Sequence, residues 1–279
     1  MTTLKVIKNR IRSVGNTKKI SQTMRMVSAA KYAKTERELK SVRSFGKAAV
    51  QFYDLIELNP PIDPESQLVI TLTGDRGLCG SIHSGIAKAV ITDFQRLSKL
   101  SMKTKLICIG DKTRVILSRD HSDKILWVAT EIGKKPMTFI DAASISQKIL
   151  KTQADNKFHQ TLIYYNKFIN ASSYSVSAIN LYESGALYES SRFLFYDDIT
   201  AETIRCWLEF TTVAIIYWLL KEGITSEYAA RMNAMESATR NASEMIKGLI
   251  LSYNRTRQAT ITRELIEIIS GASAVERKD

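Results

Sequence analysis

Proline is nearly absent. The 279 residues contain four, Pro60, Pro61, Pro64 and Pro136, so both ends of the chain are free of the residue that breaks helices. Cysteine is scarcer still. Cys79, Cys108 and Cys206 are odd in number and far apart, which argues against a disulfide framework or a Cys-based zinc site and fits a reducing compartment. Long apolar runs are missing too: the longest, residues 213–220, holds eight residues where a bilayer span needs about 20. No secretory core opens the chain, and an apolar period beginning at Leu4 leaves no room for an arginine-rich import peptide, so any targeting segment is expected to have been removed or never present. His83, His121 and His159 have no short metal-ligand spacing, and no Ser/His/Asp grouping has local support. Catalysis, cofactor and metal are therefore not expected.

What is present is positive charge at one end. Residues 1–47 carry thirteen Lys and Arg against Glu36 and Glu38, a local excess of +11 out of +12 for the whole chain. Such a segment suits nucleic acid, an anionic membrane surface, an acidic protein, or simply solvent. A basic coiled coil binding nucleic acid is one alternative. Against it, the apolar stripe continues through the basic segment, which is expected to pack along one side.

With 44% apolar residues the chain can bury a core, as one large domain or two small ones. Three regions follow from periodicity. In residues 1–59, Leu4, Ile7, Ile11 and Val14 keep helical spacing, resumed at Ile20, Met24 and Val27 and again at Leu39, Val42, Phe45, Ala49, Phe52 and Ile56. Gly15 weakens this helix without ending it, and Asn59-Pro60-Pro61 is the expected stop. Residues 66–195 alternate strand and helix: strands near 67–73, 106–109, 125–128 and 161–165, and helices near 81–100, 112–119 and 141–152. That alternation favours a largely parallel sheet; residues 166–195 read only as strand or loop. In residues 200–279, Tyr228, Met232, Met235, Thr239, Ala242, Ile246, Leu249 and Tyr253 keep a 4/3 alternation, the mark of a left-handed coiled coil. A helix of about 70 residues would be roughly 100 Å long, too long for a compact chain of this size, so it is expected to protrude. Its natural companion is the other terminal helix, antiparallel to it, with the C-terminal tip left over. The expected fold is α/β: a long antiparallel coiled coil around a central Rossmann-like domain.

Two stretches demand explanation. The turn "GDRGLCG", residues 74–80, joins strand to helix where phosphates bind in other folds, but it matches neither G-x-G-x-x-G nor G-x-x-x-x-G-K-[ST], so a plain tight turn is the better reading. Near the C-terminus, Ile261, Leu265, Ile268 and Ala272 form an apolar stripe, preceded by a collar of Arg255, Arg257 and Gln258 with Ala259 its only apolar side chain. Met24, Met26, Met232, Met235 and Met245 read as gap-filling coil residues rather than a cofactor box.

The segments "TLKVIKNRIRSVGNTKKISQTMRMVSAAK", "DRGLCGSIHS", "ARMNAMESATRNASEMI" and "YNRTRQATITRELIEIISGA" closely resemble the gamma subunit of the rotary, F-type ATP synthase. Ile261, Thr262, Glu264, Glu267, Gly271 and Ala272 fit its I-T-x-E-x-x-E-x-x-x-G-A pattern, and "AAKYAKTERELK", "IHS" and "YDDI" are most similar to the mitochondrial branch of animals. The resemblance implies a non-catalytic central-stalk rotor that couples proton-driven rotation of a membrane ring to ATP synthesis in three catalytic subunits. It implies a collar contact through Met24, Arg25, Arg255, Arg257 and Gln258, and an axle tip at Ile261, Leu265, Ile268 and Ile269. It also implies a foot contact at Asp75, Arg76, Gly77, Leu78, Cys79 and Gly80 with small stalk subunits or the ring. The implied location is peripheral, on the matrix side of the mitochondrial inner membrane.

Overall fold

A computed structural model describes residues 4–58, 65–98, 102–156, 158–182, 184–190, 192–193, 196 and 199–276. The expected stop at Asn59-Pro60-Pro61 lies outside them. Helix α1 (Leu4–Leu55) is followed by β1 (Ser66–Leu72), α2 (Ile82–Ser98), β2 (Lys103–Ile109), α3 (Asp111–Leu117), β3 (Ile125–Ala129), α4 (Phe139–Asn156), β4 (Gln160–Asn170), β5 (Ser173–Leu181), α5 (Ser184–Glu189) and α6 (Ala201–Glu276). The chain divides into two units, Ser28–Met232 and Met1–Val27 with Asn233–Asp279.

In the first unit the strands order as β3-β2-β1-β4-β5. All pairings are parallel except β4 with β5, whose antiparallel register joins Thr161 to Leu181 and Asn170 to Ser173. This hairpin fills the stretch that read only as strand or loop; its polar, alternating residues suit a half-buried edge, which leaves a weak apolar signal. Alternate side chains sort the two faces. Val69, Leu106, Cys108 and Tyr164 pack with Ile86, Val90, Phe94 and Leu117 of α2 and α3. Leu68, Ile70, Ile107, Ile109, Ile163 and Tyr165 face the larger core, shared with α1, α4 and α6.

Here α1 and α6 run antiparallel: Glu38 meets Lys221, Gly46 meets Trp218, and Phe52 meets Trp207. A Cβ on Gly46 would fall 2.3 Å from that of Trp218, so glycine sets the closeness of the two helices. The helix ends at Leu55 in a Schellman cap, with Leu58 N–H donating to Tyr53 O (3.0 Å), Glu57 N–H to Asp54 O (3.2 Å), and Glu57 at φ 52°. By length and composition α6 holds a stretch apolar enough to cross a membrane, 56% of it buried in the protein. Ala214, Ile215, Ile216, Leu219 and Leu220 are core residues here.

In the second unit, Leu4, Ile7, Ile11, Val14, Lys18, Ser21 and Arg25 keep one 3/4 register and are buried or half-buried. Ile20 and Val27, expected to resume the apolar stripe, are instead 60% and 50% exposed. A heptad seam continues through polar Lys18, Ser21 and Arg25, and the apolar residues beside them are left outside. On α6 the seam holds through Met235, Thr239, Ala242, Ile246, Leu249, Tyr253, Thr256 and Thr260, all buried or half-buried.

Candidate functional site

Residues 74–80 leave the carboxyl end of β1, next to the point where strand order reverses between β1 and β4. Doubly wound folds bind ligands in that crevice. Here α6 enters it. A Cβ on Gly74 would lie 2.0 Å from Glu227 Oε2, and Ser226 Oγ donates to Asn166 O within β4 (3.3 Å). Arg231 Nε donates to Gly77 O (3.2 Å) and its Nη2 to Arg76 O (3.4 Å), while Glu227 accepts from Arg231. The space left beside Gly74, His83, Asn166 and Glu227 is about 10 Å³, roughly one water. A phosphate at this turn would collide with the chain's own helix.

The turn is held from inside as well. Asp75 accepts from Asp111 N–H at the start of α3 (2.7 Å) and from Glu131 N–H beyond β3 (2.5 Å), tying three loops at the carboxyl edge of the sheet. His83 Nε2 donates to Arg76 O (3.1 Å). Burial lowers the His83 pKa, so the ring is neutral near pH 7; burial and then the Glu227 charge push the Cys79 thiol up to about 11. Leu78 (φ 62°) and Gly80 (φ 67°) take left-handed backbone, and Leu78 is 60% exposed. Of the six expected foot residues, Arg76, Leu78 and Gly80 therefore face outward and Gly77 is half-buried. Asp75 is half-buried and holds backbone groups within the fold, and Cys79 is buried.

Among the collar residues, Arg255, Arg257 and Gln258 are exposed and have no hydrogen bond or ion pair among the described residues. Met24 and Arg25 are half-buried, and Arg25 Nη1 lies 3.9 Å from Glu236 Oε2, whose other oxygen accepts from Arg240 (2.5 Å). At the tip Ile261, Leu265, Ile268 and Ile269 are 46 to 68% exposed. The structure brings no His, Cys, Asp or Glu cluster together as a metal site among the described residues. Sequence reasoning missed Glu227 and Arg231, which close the crevice. Their signal was present as an i, i+4 acid–base pair, a pattern that more often marks a solvated face.

Together these features define a doubly wound α/β domain whose ligand crevice is filled by a long terminal helix of its own chain. The ATP synthase family model matches residues 3–275, and the chain belongs to that family, among its gamma subunits. It is 44% identical over 276 residues to the mitochondrial ATP synthase gamma subunit of Drosophila melanogaster, covering 99% of this chain and 91% of that one. It is 42% identical over 274 residues to the F1 complex gamma subunit of Rattus norvegicus, covering 98% and 100%. A chain from the central stalk and c-ring structure of the Tetrahymena thermophila mitochondrial ATP synthase superposes with a TM-score of 0.65 at 26% identity, covering 78% and 99%. One from the Euglena gracilis enzyme superposes at 0.78 and 20% identity, covering 98% and 94%, a likeness of fold. Nothing in these matches supports nucleic-acid binding by residues 1–47.

Proposed function

We propose that this chain is the central-stalk rotor of a mitochondrial F-type ATP synthase, a non-catalytic subunit that carries proton-driven rotation of the membrane ring into the catalytic subunits. The observation that carries this reading is the surface of α6 beyond Tyr253. Five large apolar side chains, Ile261, Leu265, Ile266, Ile268 and Ile269, face solvent there at 46 to 68% exposure, just after three polar collar residues whose side chains have no hydrogen bond or ion pair among the described residues. Such a surface is unfavourable for a free chain and suits a helix turning inside a protein bearing. The tip slides in an apolar sleeve. Arg255, Arg257 and Gln258, with Met24 and Arg25 on α1, grip polar groups of one catalytic subunit at a time.

The coupling follows from symmetry. One asymmetric helix pair cannot present the same face to three equivalent subunits, so it biases each toward a different conformation. Rotation passes those states around, driven by ion movement worth roughly 2.3 kcal/mol per charge per 100 mV. The foot meets a small stalk subunit or the ring through Arg76, Leu78 and Gly80, peripheral to the inner membrane on its matrix side. The plugged crevice supports a chain that makes and breaks no bonds. Purification of the tagged chain from mitochondria in mild detergent tests the assignment. Catalytic and non-catalytic ATP synthase subunits and the ring should accompany it; recovery of the chain alone, free of them, contradicts it.

A further inference from the structure

Within Ser28–Met232, a cavity of about 180 Å³ opens where α1, α6 and the loop between β3 and α4 converge. Lys31, Lys34, Lys134, Lys135 and Lys221 line it, and Glu38 is its one carboxylate. Lys221 Nζ is bound to Glu38 at 2.6 Å, and Lys134 Nζ to Glu131 at 2.8 Å. The other three ammonium groups form no ion pair among the described residues. Lys31 Nζ lies 5.7 Å from the Tyr228 ring centroid, Lys34 has no carboxylate partner among the described residues, and Lys135 makes no ion pair there although the Glu131 and Asp141 charges reach it. Like charges gathered around one concavity repel one another in the empty state and raise the local concentration of a multivalent anion.

We propose that this cavity is a binding site for a diphosphate group. At about 180 Å³, against about 10 Å³ for the one-water space beside Gly74, it has room for a compact diphosphate. Lysine ammonium groups are compact point charges on flexible stems, suited to phosphate oxygens approached from several directions. Lys31 and Lys34 stand one turn apart on α1, and Lys134 and Lys135 stand on the loop, so a bound anion bridges helix to loop. The position follows from topology as well. The β3–α4 loop leaves the carboxyl edge of the sheet, the ligand-binding edge of doubly wound folds, and the usual crevice on that edge is closed by Glu227 and Arg231. The diphosphate arrives either free or as the tail of a nucleotide.

The test is limited amine acylation of the assembled ATP synthase, with labelling resolved lysine by lysine by mass spectrometry, alone and with inorganic diphosphate or ATP. Labelling of Lys34 and Lys135 should fall several-fold with diphosphate, while exposed Lys88 on α2, on the other face of the sheet, stays unchanged. Protection by both probes identifies the nucleotide tail as an acceptable source; protection by diphosphate alone identifies the free anion. The double variant Lys34→Gln, Lys135→Gln should raise the half-protecting concentration, read at Lys31, by about tenfold or more. Equal labelling with and without either anion, equal protection of Lys88, or lysines already shielded by another subunit in the untreated complex overturns the site.

Discussion

In the α/β region, Glu222 is 1% exposed and still fully partnered. It accepts from Arg43 Nε (2.7 Å) and Nη2 (2.9 Å), Phe168 N–H (2.9 Å) and Trp218 Nε1 (3.0 Å), joining α1, α6 and β4 at one carboxylate. In Met1–Val27 with Asn233–Asp279, by contrast, Arg255 and Arg257 bond to nothing described, and isoleucines stand in solvent. The first region satisfies this buried carboxylate and packs its central apolar residues internally. The second leaves both open, as the proposed rotor role requires of a surface that meets other chains. Substitutions should therefore damage stability in the first region and coupling in the second.

The largest effect is expected at Glu222. Glu222→Ala leaves Arg43 charged and half-buried with two backbone and indole donors unpaired, and should cost about 3 to 5 kcal/mol, since breaking a buried pair strands the partner. Denaturant unfolding of the recombinant chain measures it; a loss under about 1 kcal/mol would erase the contrast between regions. Arg257→Ala belongs to the other side. A charge-assisted bond made at one rotor angle contributes about 1.5 to 3 kcal/mol, so turnover of the assembled complex should fall roughly 10- to 100-fold. Helix content and assembly should hold, because alanine is the better helix former. Arg257→Lys should recover part, keeping charge without the guanidinium fork.

Two helical glycines sharpen the comparison. Gly46→Ala drives a Cβ into Trp218 and should cost about 1 to 3 kcal/mol by overpacking. Gly248→Ala, with nothing within 4 Å, should stabilise the chain by about 0.5 to 1 kcal/mol. Thermal unfolding of both variants must move in opposite directions. The smallest effect concerns pH. Because burial lowers the His83 pKa below its usual 6.5, the unfolded chain binds more protons than the folded one as pH falls past 6.5. Stability is then full above pH 6.5 and declines below it, and His83→Gln should flatten that part of the curve. An unchanged slope in the variant would place the proton elsewhere.

The same contrast explains what could be seen in the sequence. Strands such as β1, buried from Gln67 to Leu72, announce themselves by a short apolar run at Leu68, Val69 and Ile70, and the 4/3 register of α6 from Met235 onward is visible in the chain. The α1 seam was misread at Ile20 and Val27, because a seam carried by Lys18, Ser21 and Arg25 has no apolar signature. The turn at residues 74–80 was legible as a turn, but not the direction of its side chains. That depends on Asp111 and Glu131 backbone groups and on Arg231, all distant in sequence. The exposed collar and tip were legible as residues without an internal purpose.

Cys206 offers the most direct test of rotation. It is the one exposed thiol among the three cysteines, while burial pushes both Cys79 and Cys108 up to about 11, so a maleimide reagent selects it. With reactive cysteines removed from the other subunits and the catalytic collar fixed to a surface, a bead or rod on Cys206 should turn in one direction when ATP is added, pausing three times per revolution. A probe that stays still while the same immobilised complexes hydrolyse ATP would contradict the rotor.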